Sequence, residues 1–347
     1  MSTHALLPAL LPTSRRAARG VTLVELMVAV AIGAFLLIGA MTVFVQSQTT
    51  FRINQSVARL QENARFALAA IEPDIRMASF YGLSSRGVRI NGRAKITAAN
   101  TAALWPGGVA GCGANWALDT ENPITATNGT YPWPCGPTGG FEAGTDTVLI
   151  RRANENVVTG ALDGATLYLQ STRFQPGQIF RGPAVPAGYA VATSQTNELI
   201  VRGYYIASQS TQLGLKGAAI PALHRKSLVK GPGVQDDEIL AGVEDLQVEL
   251  GIDTDVPGTP NRGAVDRYVN ADDPILDPAS PTYNANVVIL AVRIWLRVRA
   301  EDIENGFTDT TNYKYADVDF TPSAAQAPFR RMLVSKTIYL RNARQMS

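Results

Sequence analysis

RRAARG (15–20) followed by VTLVELMVAVAIGAFLLIGAMTVFV (21–45) decides the organisation of this chain. Three arginines, Arg15, Arg16 and Arg19, and then Gly20 stand directly before an apolar run whose only charge is Glu25. A run of about 25 residues makes a helix of roughly 37 Å, enough to cross the hydrocarbon core of a bilayer with some tilt. A carboxylate in such a span costs about 2.5–3.5 kcal/mol on insertion scales. Glu25 therefore needs a partner. A cut between Gly20 and Val21 would free an amine four residues from Glu25, at the positive end of the helix dipole, where it could meet Glu25 of its own chain or of a neighbour.

A secretory signal places its small-residue cleavage site after the apolar region, whereas here the glycine precedes it. The basic leader, Gly20, the apolar residues and Glu25 at the fifth position after the glycine together resemble the type IV prepilin signal. The bland alternative is a plain single-span anchor with a chance glutamate. The resemblance implies a leader, residues 1–20, removed between Gly20 and Val21, and an assembly helix, residues 21–45, left attached.

The chain has 347 residues, with Lys and Arg totalling 31 against 29 Asp and Glu. Loss of the three leader arginines turns the formal net charge of +2 into −1, so the basic balance belongs to the leader and nothing points to nucleic acid. Positive charge before the span predicts a cytoplasmic N-terminus and an exported remainder. Cys112 and Cys135, the only cysteines, then lie in an oxidising compartment, where a disulfide is the default. Metal ligation is the alternative, but the histidines, His4 and His224, are far away in sequence.

Beyond Val45 the chain turns polar with no Gly or Pro until Pro73. Ile53, Val57, Leu60, Ala64, Ala67 or Leu68, and Ile71 recur at spacings of three and four, which predicts an amphipathic helix within residues 46–83. Pro73 predicts a kink or restart, with Gly82 as terminator. Residues 84–347 read as a β-rich globular part. Strands are expected at 145–152, 165–171, 197–208, 245–252, 286–300 and 332–342, where β-branched and aromatic residues concentrate. In VRIWLRVR (292–299), Val292, Ile294, Leu296 and Val298 alternate with Arg293, Trp295, Arg297 and Arg299, which predicts a half-buried strand with its arginines in solvent or at a subunit contact. Residues 103–144 form a Gly/Pro/Trp-rich insertion carrying both cysteines, and a bridge there would offset part of its ordering entropy.

No nucleotide-binding, zinc-protease or nucleophile-elbow motif is present. His224, in HRKSL, reads as part of an exposed strand or loop. DTDVPG (253–258), with Asp266, Asp272 and Asp273 nearby, offers Asp253 and Asp255 at the first two ligand positions of a calcium loop. Pro257 occupies the third position and Ala264 stands where the bidentate glutamate belongs, so a solvated loop is the stronger reading.

The N-terminal segment is similar to those of type IV pilins and type II secretion pseudopilins. ARFALAAIEPDIRMASFYG, LAGVEDLQVELGIDTD followed by VDRYV, VVILAVRIWLRVR and SKTIYLRNAR, in that order, resemble PilW-type minor pilins. The resemblance implies an α+β, type IV pilin-like fold: a long N-terminal helix packed on an antiparallel β-sheet domain. It implies no cofactor and no catalysis. Gly20 and Val21 would be the processing site of a prepilin peptidase, Val21 its methylated residue, and Glu25 the group that registers with an adjacent subunit. The implied partners are other minor pilins, a tip adhesin, the major pilin and the inner-membrane assembly platform. The protein would cross the inner membrane once, with its globular part in the periplasm, and then enter the pilus tip. A J-type pseudopilin of type II secretion is the nearest alternative, and a membrane-anchored periplasmic enzyme or adhesin domain is the reading of a different class.

Overall fold

The computed structural model describes residues 20–93, 112, 114–214 and 218–343. The chain divides into two compact units, residues 1–55 and 56–347. Helix α1 (Leu23–Arg76) contributes to both. In the first unit its apolar residues are exposed, Phe35 by 82% and Leu23 by 74%. Among the described residues this is the one helix long and apolar enough to cross a membrane.

In the second unit α1 buries Leu60, Ala64, Ala67, Ile71, Asp74 and Ile75. Spacings of three and four put these residues on one face, and the two alanines let a sheet approach closely. The helix passes through Pro73 without restarting and stops at Arg76, short of the expected terminator Gly82. Proline forfeits one amide donor, so the helix continues through Pro73 at the cost of one intrahelical bond. The end is fixed from outside the helix. The Arg341 N–H donates to Arg76 O at 3.1 Å, and Ser79 turns the chain away at φ 64°. Gly82 follows at φ 73°, where a Cβ would come within 2.3 Å of Ser171 Oγ.

The remaining elements form two sheets and a hairpin. The first sheet contains β1 (Ile90–Asn91), β2 (Ile124–Thr127), β3 (Thr147–Val157), β4 (Leu167–Thr172), β5 (Gly177–Arg181), β6 (Ser194–Ala207), β7 (Ala222–Val229) and β8 (Gly233–Ala241). Its order is β1-β5-β4-β6-β3-β2, with β7 pairing β6 and β8. All its pairs are antiparallel except β1–β5. The second sheet runs β10 (Arg267–Asn270), β9 (Val243–Asp253), β11 (Val288–Arg299), β14 (Arg331–Tyr339) and is wholly antiparallel. The hairpin is β12 (Tyr313–Tyr315) with β13 (Val318–Phe320). A short helix, α2 (Ala114–Leu118), precedes β2.

Register explains the core. Leu250, Val248 and Leu246 oppose Val292, Ile294 and Leu296, so one face of the second sheet is continuously apolar and packs with the α1 stripe. β3 is buried on both faces: Val148 and Ile150 join this core, while Leu149 and Ala153 join a second core with Trp116, Trp133 and Tyr205. That is why Val148, Leu149 and Ile150 are consecutively apolar and do not alternate.

Asp146 fastens the sheets together. Its N–H donates to Leu246 O at 2.8 Å, and its carboxylate accepts from Val248 N at 2.8 Å and Gly129 N at 2.9 Å. Burial pushes its pKa up to about 7 against the pull of both amides. The folded chain therefore holds a proton that the unfolded chain releases near 3.8. That contribution to stability is complete below the lower value and is lost as pH rises through about 7. Chemical unfolding at pH 5 and pH 7.5 should show the loss, and Asp146→Asn should flatten the slope between them.

Candidate functional site

The sequence points to Gly20–Glu25, and the local geometry there is a helix start. Thr22 precedes the first helical residue, Leu23. Its Oγ1 accepts from Glu25 N at 3.2 Å, while Glu25 Oε2 accepts from Thr22 N and Thr22 Oγ1, both at 2.9 Å. This reciprocal pair is a capping box, in which Thr-x-x-Glu satisfies amides that have no intrahelical acceptor. The carboxylate that required a partner thus has one within its own chain, a hydroxyl and an amide, while the backbone is uncut at Gly20. The T-x-x-E spacing was the sequence signal for it.

Gly20 itself is exposed, and a Cβ built there meets nothing within 4 Å. Packing among the described residues does not call for glycine at this position. Arg15, Arg16 and Arg19 lie outside the described residues.

A second cluster ties α1 to the first sheet. Asp74, on the buried stripe three residues after Ile71, accepts from Arg152 Nε at 3.1 Å, Arg152 Nη2 at 3.0 Å, Arg202 Nη1 at 3.0 Å and the Tyr204 hydroxyl at 2.6 Å. Burial raises the Tyr204 pKa, and the Asp74 charge raises it further. Burial works against the Arg202 charge, yet Asp74 holds that guanidinium's pKa above its usual value.

Cys112 and Cys135 are joined by a disulfide across 23 positions. Part of the insertion expected at 103–144, residues 103–111 and 113, lies outside the described residues. The remainder is bound closely to the first sheet. Arg151 Nε donates to Trp116 O at 2.9 Å, and Tyr81 OH donates to Thr120 O at 2.9 Å. Asp236 on β8 accepts from Thr138 N at 3.0 Å, Tyr205 OH at 2.8 Å and Lys226 Nζ at 2.7 Å, and lies 3.2 Å from His224 Nδ1. Burial opposes the Asp236 charge, but these partners hold the carboxyl well below the usual range. Contrary to the expectation from HRKSL, His224 is 1% exposed on β7, because loop residues 136–138 lie over this part of the sheet. Closing a loop of this length contributes on the order of 3 kcal/mol by chain-entropy reasoning. Reduction, or Cys112→Ser, should accordingly speed hydrogen exchange in 114–140 before it affects β9 and β11. Equal loosening of both regions would show that the bridge supports the whole domain.

The arginine row of β11 is also corrected. Arg293 is partly exposed and stacks on Tyr268 at 3.7 Å, but Arg297 and Arg299 are buried. Arg297 Nε donates to Glu244 Oε1 at 2.7 Å, and its guanidinium covers Phe320 at 3.7 Å, while Arg299 covers Phe329 at 4.2 Å. The hairpin and the chain that follows it cover the polar face of β11, a contact that alternation along one strand does not encode.

Asp253, Asp255 and Asp266 bring ligand atoms within 4.8 Å of one another. The protein already occupies the Asp253 and Asp266 oxygens, while Asp255 Oδ2 is buried without a partner among the described residues. Asp253 accepts from Gly263 N at 2.6 Å and Asp255 N at 2.9 Å, with Arg262 Nη1 at 3.4 Å, and Asp266 accepts from Thr254 N and Oγ1, both at 2.7 Å. A guanidinium among three carboxylates fits a loop brace better than a calcium site.

Residues 203–342 match the family model of type IV pilus-assembly protein W, and residues 15–41 match the prokaryotic N-terminal methylation motif. The first match runs from within β6 through β14 and leaves out the disulfide-bonded insertion. No curated protein and no solved structure matches the chain.

Proposed function

We propose that this chain, a type IV pilus-related pilin with a membrane-anchoring N-terminal helix, joins other minor pilins in a complex that primes pilus assembly and comes to rest at the tip. It acts as a structural subunit, not as an enzyme. The observation that carries the reading is the order of its parts: a methylation motif at 15–41, one long helix, and a PilW-type β-domain at 203–342. A prepilin peptidase cuts between Gly20 and Val21 and methylates Val21. That the described residues make no packing demand for glycine at 20 supports this, since the requirement is then the peptidase's. The globular part faces the periplasm before assembly.

Intact-mass analysis of membrane-extracted protein should give a chain beginning at methylated Val21. A chain beginning after Ala40, or one with no cut at all, removes the prepilin reading. Deletion of the gene should abolish surface pili while the major pilin accumulates in the inner membrane. A deletion that spares pili and stops protein secretion instead would assign the chain to the pseudopilins.

A further inference from the structure

Between the disulfide-bonded insertion and strands β2 and β3 lies an open cavity of about 460 Å³ that the pilin reading does not use. This lies within the ~300–1,000 Å³ range of small-molecule sites. Trp116, Trp133, Pro134 and Leu149 give it apolar walls, and Asp119 and Arg151 give it polar ones. Cys112 also lines it, so the bridge helps to hold one of its walls in place.

Two polar atoms in this wall are buried and have no partner among the described residues. They are Trp116 Nε1, on a residue 3% exposed, and Asp119 Oδ1. An indole N–H can only donate and an ionised carboxylate oxygen can only accept, so one occupant must offer both functions. Buried polar groups are nearly always satisfied, and here the partner is missing at two atoms of residues that line the same cavity.

Charge narrows the occupant further. Arg151 is engaged with the backbone, Nε with Trp116 O at 2.9 Å and Nη1 with Asn122 O at 2.7 Å, and its charge stands against that of Asp119. The wall thus offers no net charge. A proline-rich peptide would suit the indoles and could accept from Trp116, but its imino nitrogens would leave Asp119 without a donor. A hydroxyl is both donor and acceptor.

We propose that this cavity binds a neutral pyranose sugar, with an apolar ring face against the indoles and hydroxyl groups meeting Trp116 Nε1 and Asp119 Oδ1. The proposal does not depend on the pilin reading. Its test uses the detergent-solubilised full chain with 15N-labelled tryptophan, titrated with glucose, galactose, mannose and N-acetylglucosamine, and with decaproline as the competing class. At least one sugar should shift the Trp116 indole resonance saturably in the millimolar range. Asp119→Ala should weaken that binding at least tenfold without moving the thermal midpoint, and reduction of Cys112–Cys135 should abolish it. If the variant fails to fold, the wild-type indole shift and its loss on reduction carry the test. No response to any of the four sugars, equal affinity in folded Asp119→Ala, or a response to decaproline alone would overturn the proposal.

Discussion

Replacing Asp74 by alanine is expected to lower the unfolding free energy of the globular unit by about 3–5 kcal/mol, the usual result of removing one partner from a buried ion pair. Asp74 is 1% exposed and receives two guanidinium groups and a phenol. Truncation leaves Arg152, itself 6% exposed, facing α1 without its carboxylate. The Tyr204 hydroxyl keeps only Ala70 O, at 3.0 Å. Arg152 also reaches Glu155 at 3.2 Å, which recovers part of the loss and places the expectation towards the lower end of the range. Urea unfolding of the solubilised chain, followed by tryptophan fluorescence, measures it. Asp74→Asn retains one acceptor oxygen and should fall between wild type and alanine. A loss below 1 kcal/mol for Asp74→Ala would mean that the apolar stripe alone holds α1 to the sheets.

Glu25→Val should leave the chain inserted and processed at Gly20 but cut piliation by at least about tenfold, the change that about 1.4 kcal/mol of lost pairing makes in an equilibrium. Removing a carboxylate from a span eases insertion, so assembly is the step that should suffer. The capping box gives Glu25 a second role, however, and valine removes both. Glu25→Gln separates them, because glutamine can still cap at this position while carrying no charge. Complementation of a deletion strain, with processing followed by immunoblot and pili counted by microscopy, reads both variants. If charge registers one subunit on another, Gln and Val fail alike. Normal piliation with Gln and loss with Val would show that Glu25 acts as a helix cap. Normal piliation with both would remove Glu25 from assembly.

Much of the fold was legible where local patterning is decisive. The Leu60–Ile71 stripe was visible as helical periodicity, and Leu290 to Val298 as strand alternation, because each face is set by neighbours along the same element. Short strands such as β1, β10, β12 and β13 gave no such signal; two to four residues cannot display a period. At the helix start the T-x-x-E spacing encodes the capping box locally, so the carboxylate's first partner is a hydroxyl and an amide of its own turn.

By itself the sequence determined the membrane-length helix, the Gly20–Glu25 signal, the α+β class and the disulfide as the default for its only two cysteines, since each of these follows from local spacing, hydropathy or counting. Only the tertiary structure decided which charges are buried. Asp74 lies on a stripe that otherwise carries apolar side chains. Arg297 and Arg299 occupy the positions that alternation assigns to solvent, and His224 opens the polar HRKS run of β7. Their burial depends on what the chain brings over them from far away in sequence: Arg152 and Arg202 over Asp74, the 313–329 segment over β11, and the insertion over β7. A side chain's local pattern states which face it occupies. Whether water or protein meets that face is a long-range property of the packed chain.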